Sequence, residues 1–85
     1  MKRAFKEATY TAIFRPEPEG GFTVIVPILP GCVTYGRNIK EAKSMAREAI
    51  ELYLESLRAE GEEIPIEDDS IISSVTINKR ERAYA

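Results

Sequence analysis

The chain has 85 residues, 44% hydrophobic and 31% charged, which is enough for one small domain (1–85, with an ordered core predicted over about 8–79) and excludes two separate cores. No apolar run approaches the roughly 20 residues that span a bilayer, and the N-terminus lacks the apolar stretch of a signal peptide, so we expect a cytoplasmic protein without membrane contact. The net charge of −2 argues against nucleic-acid binding through neutralisation of phosphates.

The first two predicted strands are residues 8–15 and 22–27, because apolar side chains alternate along both. Ile13 interrupts the polar face of the first strand, so we expect that face to be partly covered as well. The apolar face is formed by Tyr10, Ala12, Phe14, Phe22, Val24 and Val26. The sequence PEPEGG between the strands, which ends at Gly21, predicts a hairpin with a long acidic tip.

The segment VPILPGC then turns the chain into a third short strand, CVTY, which Gly36 closes. Pro27 and Pro30 shape this corner. Pro30 presets φ for the first central position of a turn, and Gly31 supplies the positive φ that a type II turn needs at the second. Cys32 is predicted to be a small buried core residue and not a reactive thiol.

A long helix is predicted after Asn38, which is a good N-cap, with Glu41 at the third helical position as in a capping box. Apolar residues recur at steps of three and four, and Gly61 fits the position just past a helix of about 22 residues. Since such a helix is longer than the strands beneath it, its last turns should overhang the sheet. The residues expected on the overhang, as a homo-oligomer interface, are Tyr53, Leu54 and Leu57.

Residues 71–79 predict a fourth strand, with Ile71, Val75 and Ile77 on its apolar side. The element order is then βββαβ, an α+β fold. Three strands joined by short turns form an antiparallel meander, and the helix is a right-handed crossover that returns the fourth strand parallel to the first. The helix packs on one face of the sheet.

The residues that carry most enzyme chemistry are missing. There is no histidine and only one cysteine, so we predict no catalytic residues, no metal site and no cofactor. Asp68 and Asp69 lie in a loop whose spacing matches no calcium motif, and a metal-dependent nuclease centred on them is a minor alternative. The basic groups at the two ends of the chain fall at opposite edges of the predicted sheet, which disfavours nucleic-acid binding.

The ordered set EGGFTVIVPILPGCVTYGRNIKEAKSMAREAIELYLESL resembles the HicB-type antitoxin family. Its match runs from Gly20 to Leu57: a glycine before an apolar strand, a proline-leucine-proline-glycine-cysteine type of segment, a further glycine, and a helix that continues as EAIELYLE. The resemblance implies a degraded RNase H-like fold. Members of that family usually also carry a C-terminal DNA-binding domain, but too few residues follow the predicted fourth strand to form one, so we expect a short form and no direct DNA binding.

The resemblance further implies a partner, a small mRNA-cleaving HicA-type toxin that the chain neutralises by complex formation. Acidic groups would attract such a basic partner, mainly by speeding association. The candidate partner-binding residues are Glu17, Glu19, Tyr35, Asp68 and Asp69, with Glu62 and Glu63 adding negative charge. The alternative is a stand-alone structural or ligand-binding domain of the same fold, without a toxin. In either case we expect a homo-oligomer, a dimer or higher.

Overall fold

The computed structural model of the chain describes residues 7–67 and 71–80. Its elements are β1 (Ile13–Pro16), β2 (Phe22–Ile25), β3 (Val33–Gly36) and one long helix, α1 (Ile39–Ala59). The strands form an antiparallel sheet in the order β1-β2-β3, and α1 packs on one face of it. The predicted α+β class, the three-stranded meander and the single helix are confirmed.

The core between the sheet and α1 consists of two small clusters. The first is Val24, Ala42 and Ala46, covered by Ala12, Phe14 and Phe22. The second is Val26, Leu29 and Cys32, covered in part by Tyr10, Ile50, Tyr53 and Leu54. The apolar faces predicted for the first two strands therefore do face the helix, and they meet small alanines there, which lets α1 lie close to the sheet.

β1 is shorter than its apolar pattern predicted, and β2 ends at Ile25. The register pairs Ile13 with Ile25, so the next hydrogen-bonded pair of the ladder would be Thr11 with Pro27. Proline has no N–H to donate, and a turn in which the Leu29 N–H donates to the Val26 carbonyl (3.0 Å) bends the chain away. The ladder between the two strands therefore stops before it reaches Thr11.

The corner between β2 and β3 has the predicted geometry. The Cys32 N–H donates to the Leu29 carbonyl at 2.9 Å, and Gly31 has φ of 83°, as a type II turn requires. Cys32 itself is buried beneath the helix, as predicted. The Tyr53 hydroxyl donates to the Pro30 carbonyl at 2.7 Å, which ties α1 to the corner.

α1 begins and ends as the sequence indicates. The Asn38 side chain accepts from the Glu41 N–H at 2.8 Å, and the Glu41 carboxylate accepts from the N–H of Arg37 rather than from that of the N-cap residue. At the other end, the backbone N–H of Glu62 donates to the Leu57 carbonyl and Gly61 takes a φ of 72°, which is a Schellman ending. No helix in the described part of the chain is both long and apolar enough to cross a bilayer.

The predicted fourth strand is not formed in this structure. Residues 71–80 lie outside any helix or strand, and all of them are exposed. The connection after α1 does reach the start of the sheet, since the Tyr10 hydroxyl donates to the Pro65 carbonyl (2.8 Å) and the Thr11 N–H donates to Glu67 Oε1 (2.9 Å). The segment 71–80, called the arm below, does not continue along β1.

Candidate protein-binding surface

The face of the sheet that points away from α1 carries a row of apolar side chains. The register aligns Ile13 of β1 with Ile25 of β2, and Ile25 with Val33 of β3. Ile13 and Val33 are exposed, and Ile25 is half-buried. No helix or strand of the described residues packs on this face. The row is therefore an apolar stripe that crosses all three strands and is open to a partner.

Tyr35 lies in the next row of the same face, opposite Thr23. Its hydroxyl donates to the Gly20 carbonyl at 2.9 Å, so the ring, which is half exposed, leans along the hairpin tip. A side chain at Gly21 would collide with this ring. Tyr35 is therefore held in one orientation by the tip, and it keeps an exposed aromatic surface for contact.

The acidic hairpin tip adjoins Tyr35. Glu17 Oε2 accepts from the Thr23 hydroxyl at 2.6 Å, which fixes one carboxylate at the edge of the outer face. Glu19 is exposed in the turn that the Gly20 N–H closes on the Glu17 carbonyl. Three of the predicted partner-binding residues therefore come together at one end of the sheet.

The other predicted partner-binding residues, Asp68 and Asp69, lie outside the described residues. Glu62 and Glu63 are exposed just past the end of α1. Within residues 7–67 and 71–80, no group of three acidic or cysteine side chains is placed to hold a metal ion.

Among the described residues, the pKa values of three ionisable groups are shifted for local reasons: the hydrogen-bonded contact with Glu41 raises the pKa of Arg37, and Glu41 and Cys32 are the other two. The bidentate contact with Arg37, at 2.9 Å between Nη2 and Oε2, and the Arg37 N–H together hold the pKa of Glu41 below its usual value. Burial raises the pKa of the Cys32 thiol, which disfavours the nucleophilic thiolate. The Arg37–Glu41 contact stabilises the start of α1, and the shift at Cys32 reflects core packing, so neither indicates a reaction centre.

The residues expected at an oligomer interface lie on the last turns of α1, near the core of their own chain. Tyr53 and Leu54 pack against the second core cluster, and Leu57 is half-buried. The end of α1 therefore lies partly over the β2–β3 corner, and Tyr53 and Leu54 share their apolar surface with the core of the same chain.

The apolar row on the outer face was only half visible in the sequence. Ile13 gave a signal, because it broke the polar side of the first strand. Ile25 and Val33 were not singled out, since a residue in a four-residue strand can be assigned to a face only when its register is known.

The comparison with known families decides the assignment. The model of the HicB-like antitoxin of bacterial toxin–antitoxin systems matches residues 10–83, nearly the whole chain. The chain belongs to the HicB-like antitoxin family. Because the match extends beyond α1, the family pattern includes the arm as well as the sheet and helix.

Relatives of this HicB-like chain occur in distant organisms. A UPF0150 protein of Thermoplasma acidophilum is 46% identical over 56 residues, which cover 66% of this chain and 81% of the relative. A UPF0150 protein of Synechocystis is 44% identical over 59 residues, covering 69% and 75%. A UPF0150 protein of Helicobacter pylori is 39% identical over 59 residues, covering 69% and 82%.

Proposed function

We propose that this protein neutralises a small mRNA-cleaving toxin of the HicA type by holding it in an inactive complex. The observation that carries the proposal is the family match over residues 10–83. The described surface supports a binding role, because it offers an apolar stripe for contact.

The outer sheet face is the proposed toxin-binding surface. It has the composition of a protein interface, with an apolar row across the strands and a tyrosine and carboxylates beside it at the hairpin end. A nuclease that binds RNA carries positive charge, so Glu17 and Glu19 would speed its approach while Ile13, Val33 and Tyr35 supply the buried contact.

The direct experiment is to purify the chain with a HicA-type toxin from the same genome and to measure cleavage of a defined RNA. We expect a stable complex and loss of cleavage once the chain reaches the stoichiometry of that complex. A toxin that keeps cleaving RNA in the presence of excess chain would refute the proposal.

The binding surface is tested with Val33→Asp, which places a charge at the β3 end of the apolar row. Val33 is 55% exposed, so the substitution should leave the fold intact. We expect toxin affinity to fall by at least tenfold, since a desolvated charge costs more than about 1.4 kcal/mol. The matched control is Leu52→Asp on the helix, where Leu52 is 62% exposed and lies outside the sheet. Equal losses from both variants would exclude the outer face as the binding surface.

The acidic tip is tested with Glu19→Lys, which we expect to slow association and leave dissociation nearly unchanged. Glu48→Lys makes the same charge change at an exposed position on α1 and is the control. Stopped-flow mixing at two salt concentrations separates the effects, because only the tip variant should weaken the dependence of the association rate on salt.

A further inference from the structure

The arm has the sequence of a strand but has no partner within its own chain. Ile71, Val75 and Ile77 fall on one side of an extended chain, and they are 89%, 88% and 75% exposed. Ser74, Thr76 and Asn78 fall on the other side together with Ile72, which is 72% exposed, while Ser73 falls on the side of Val75. A ten-residue segment rich in isoleucine, valine and threonine with one mainly apolar side is typical of a strand, and here it has no sheet partner.

The sheet has room for a further strand beside its edge strand β1. An open groove of about 600 Å³ lies between β1 and α1. Seven of its ten lining residues are apolar, among them Tyr10, Ala12, Phe14, Ala46, Ile50 and Leu54, and the charged residues Lys43, Arg47 and Glu51 of α1 complete it. The apolar side chains are those that a further strand beside β1 would cover with its own apolar face.

The outer edge of β1 is also available for hydrogen bonding. The Glu17 N–H donates to the Gly21 carbonyl, and in an antiparallel pair this alternation directs the N–H and carbonyl of Phe14 away from β2. β1 is the edge strand of the sheet on this side. The groove therefore lies next to a strand edge that can accept a further strand.

We propose that the arm of a second copy of this chain occupies the groove and pairs with the edge of β1, so that two copies exchange arms. Each chain carries one arm and one groove, so two reciprocal contacts close a symmetric dimer without leftover edges on this side. At about 3.3 Å per residue the ten residues of the arm span about 33 Å, enough to follow β1 along its whole length.

The direction of the arm favours a second copy over the chain's own groove. The connection is bound at the start of β1 through Pro65 and Glu67, yet every described residue of the arm is exposed. The arm thus projects from the domain while the groove between β1 and α1 is unoccupied. Two copies can satisfy both by placing the arm of each in the groove of the other.

The mass of the purified chain in sedimentation equilibrium tests the proposal. We expect twice the 9.6 kDa of one chain. Val75→Asp with Ile77→Asp, on the apolar side of the arm, should give the monomer mass. Thr76→Asp with Asn78→Asp adds the same charge to the polar side of the same segment and should remain a dimer.

A mixing experiment then distinguishes exchange from closure within one chain. Ile50→Lys places a charge in the groove and keeps the arm intact, with Ala12→Lys as the replacement if circular dichroism shows loss of the helix. Each of the two variants alone should be monomeric. Their equimolar mixture should form a heterodimer, because one intact arm still meets one intact groove.

The contrary outcomes are equally definite. If the chain is monomeric and its arm amides are protected from hydrogen–deuterium exchange, the arm closes on its own β1. If the chain is monomeric and its arm amides are not protected, the groove is left to a different protein. A dimer that survives the Val75 and Ile77 substitutions would have another interface. Each of these results would overturn the exchange, and none bears on toxin binding, since the toxin is absent from all the samples.

Discussion

Gly36 and Gly61 are both required by the structure, but for different reasons. A Cβ on Gly36 would collide with the backbone of Ala42, so this glycine sets how closely β3 and α1 approach. Gly61 has open space around it, but its φ of 72° lies in the left-handed region that side chains disfavour. One position is limited by contact and the other by backbone conformation.

Substitution by alanine and by asparagine separates the two causes. Gly36→Ala should lower the free energy of unfolding by about 2 kcal/mol through overpacking, and Gly36→Asn by more, because the side chain is larger. Gly61→Ala should cost about 1 kcal/mol, and Gly61→Asn less, because asparagine tolerates the left-handed region. Urea denaturation of the four variants measures both series, and the same order of alanine and asparagine at the two sites would contradict this explanation.

The Cys32 thiol should report opening of the corner between β2 and β3. Burial both shields the sulfur and raises its pKa, so its reaction with a disulfide reagent at pH 8 should be slow and should accelerate steeply across the urea transition. Ser73→Cys combined with Cys32→Ala puts the same thiol on the exposed arm, where it should react at once. Fast labelling of Cys32 without urea would show that the corner opens locally.

At the scale of the element, the start of α1 depends on one carboxylate. The contact with Arg37 lowers the pKa of Glu41 in the folded chain, so the charged form contributes stability above the ordinary glutamate pKa of about 4.3, and this is lost as the pH falls through the lower folded value. Glu41→Gln should therefore be less stable than the native chain at pH 7, and the difference should shrink below about pH 4.

Thermal unfolding from pH 7 to pH 2 measures that difference. The control is Glu48→Gln, which removes an exposed carboxylate from the middle of α1. A difference between native chain and Glu41→Gln that stays constant over the whole range would show that Glu41 acts by packing and not by charge.

The elements that could be predicted from the sequence are those with a local cause. The Pro30–Gly31 turn, the Asn38 cap and the Gly61 ending each rest on contacts within about four residues, and all three are present. The strand bounds were predicted less well. β1 loses its first half because Pro27, distant along the chain, falls opposite Thr11 in the register, which the alternation of side chains does not reveal.

At the scale of the whole molecule, the sequence pattern of the arm does not determine where the arm packs. Its alternation predicted a strand that this structure does not form, and the pattern does not say which sheet such a strand would join or whether that sheet belongs to the same chain. The proposed binding surface has the same property. Tyr35 and the acidic tip were proposed from the sequence, whereas the row from Ile13 to Val33 becomes visible only once three strands are in register.

Arm exchange makes the thermal stability depend on concentration. The melting temperature of the native chain should rise as the chain concentration is increased, because association stabilises the folded state by mass action. The Val75→Asp, Ile77→Asp variant should melt at a temperature that does not change with concentration. Calorimetry over a hundredfold range of concentration compares the two, and parallel slopes would show that the arm does not contribute to association.

The three tyrosines of the described residues share one arrangement, since each hydroxyl donates to a backbone carbonyl of a different loop: Tyr10 to Pro65, Tyr35 to Gly20 and Tyr53 to Pro30. The chain has no tryptophan, so its near-ultraviolet spectrum comes mainly from four tyrosines, of which Tyr84 lies outside the described residues. The protein thus has a built-in optical reporter on its hairpin tip, its corner and the connection to the arm. Replacing the tyrosines by phenylalanine one at a time assigns each signal, so that docking of a toxin, melting of the corner and movement of the arm can be followed separately without an added label.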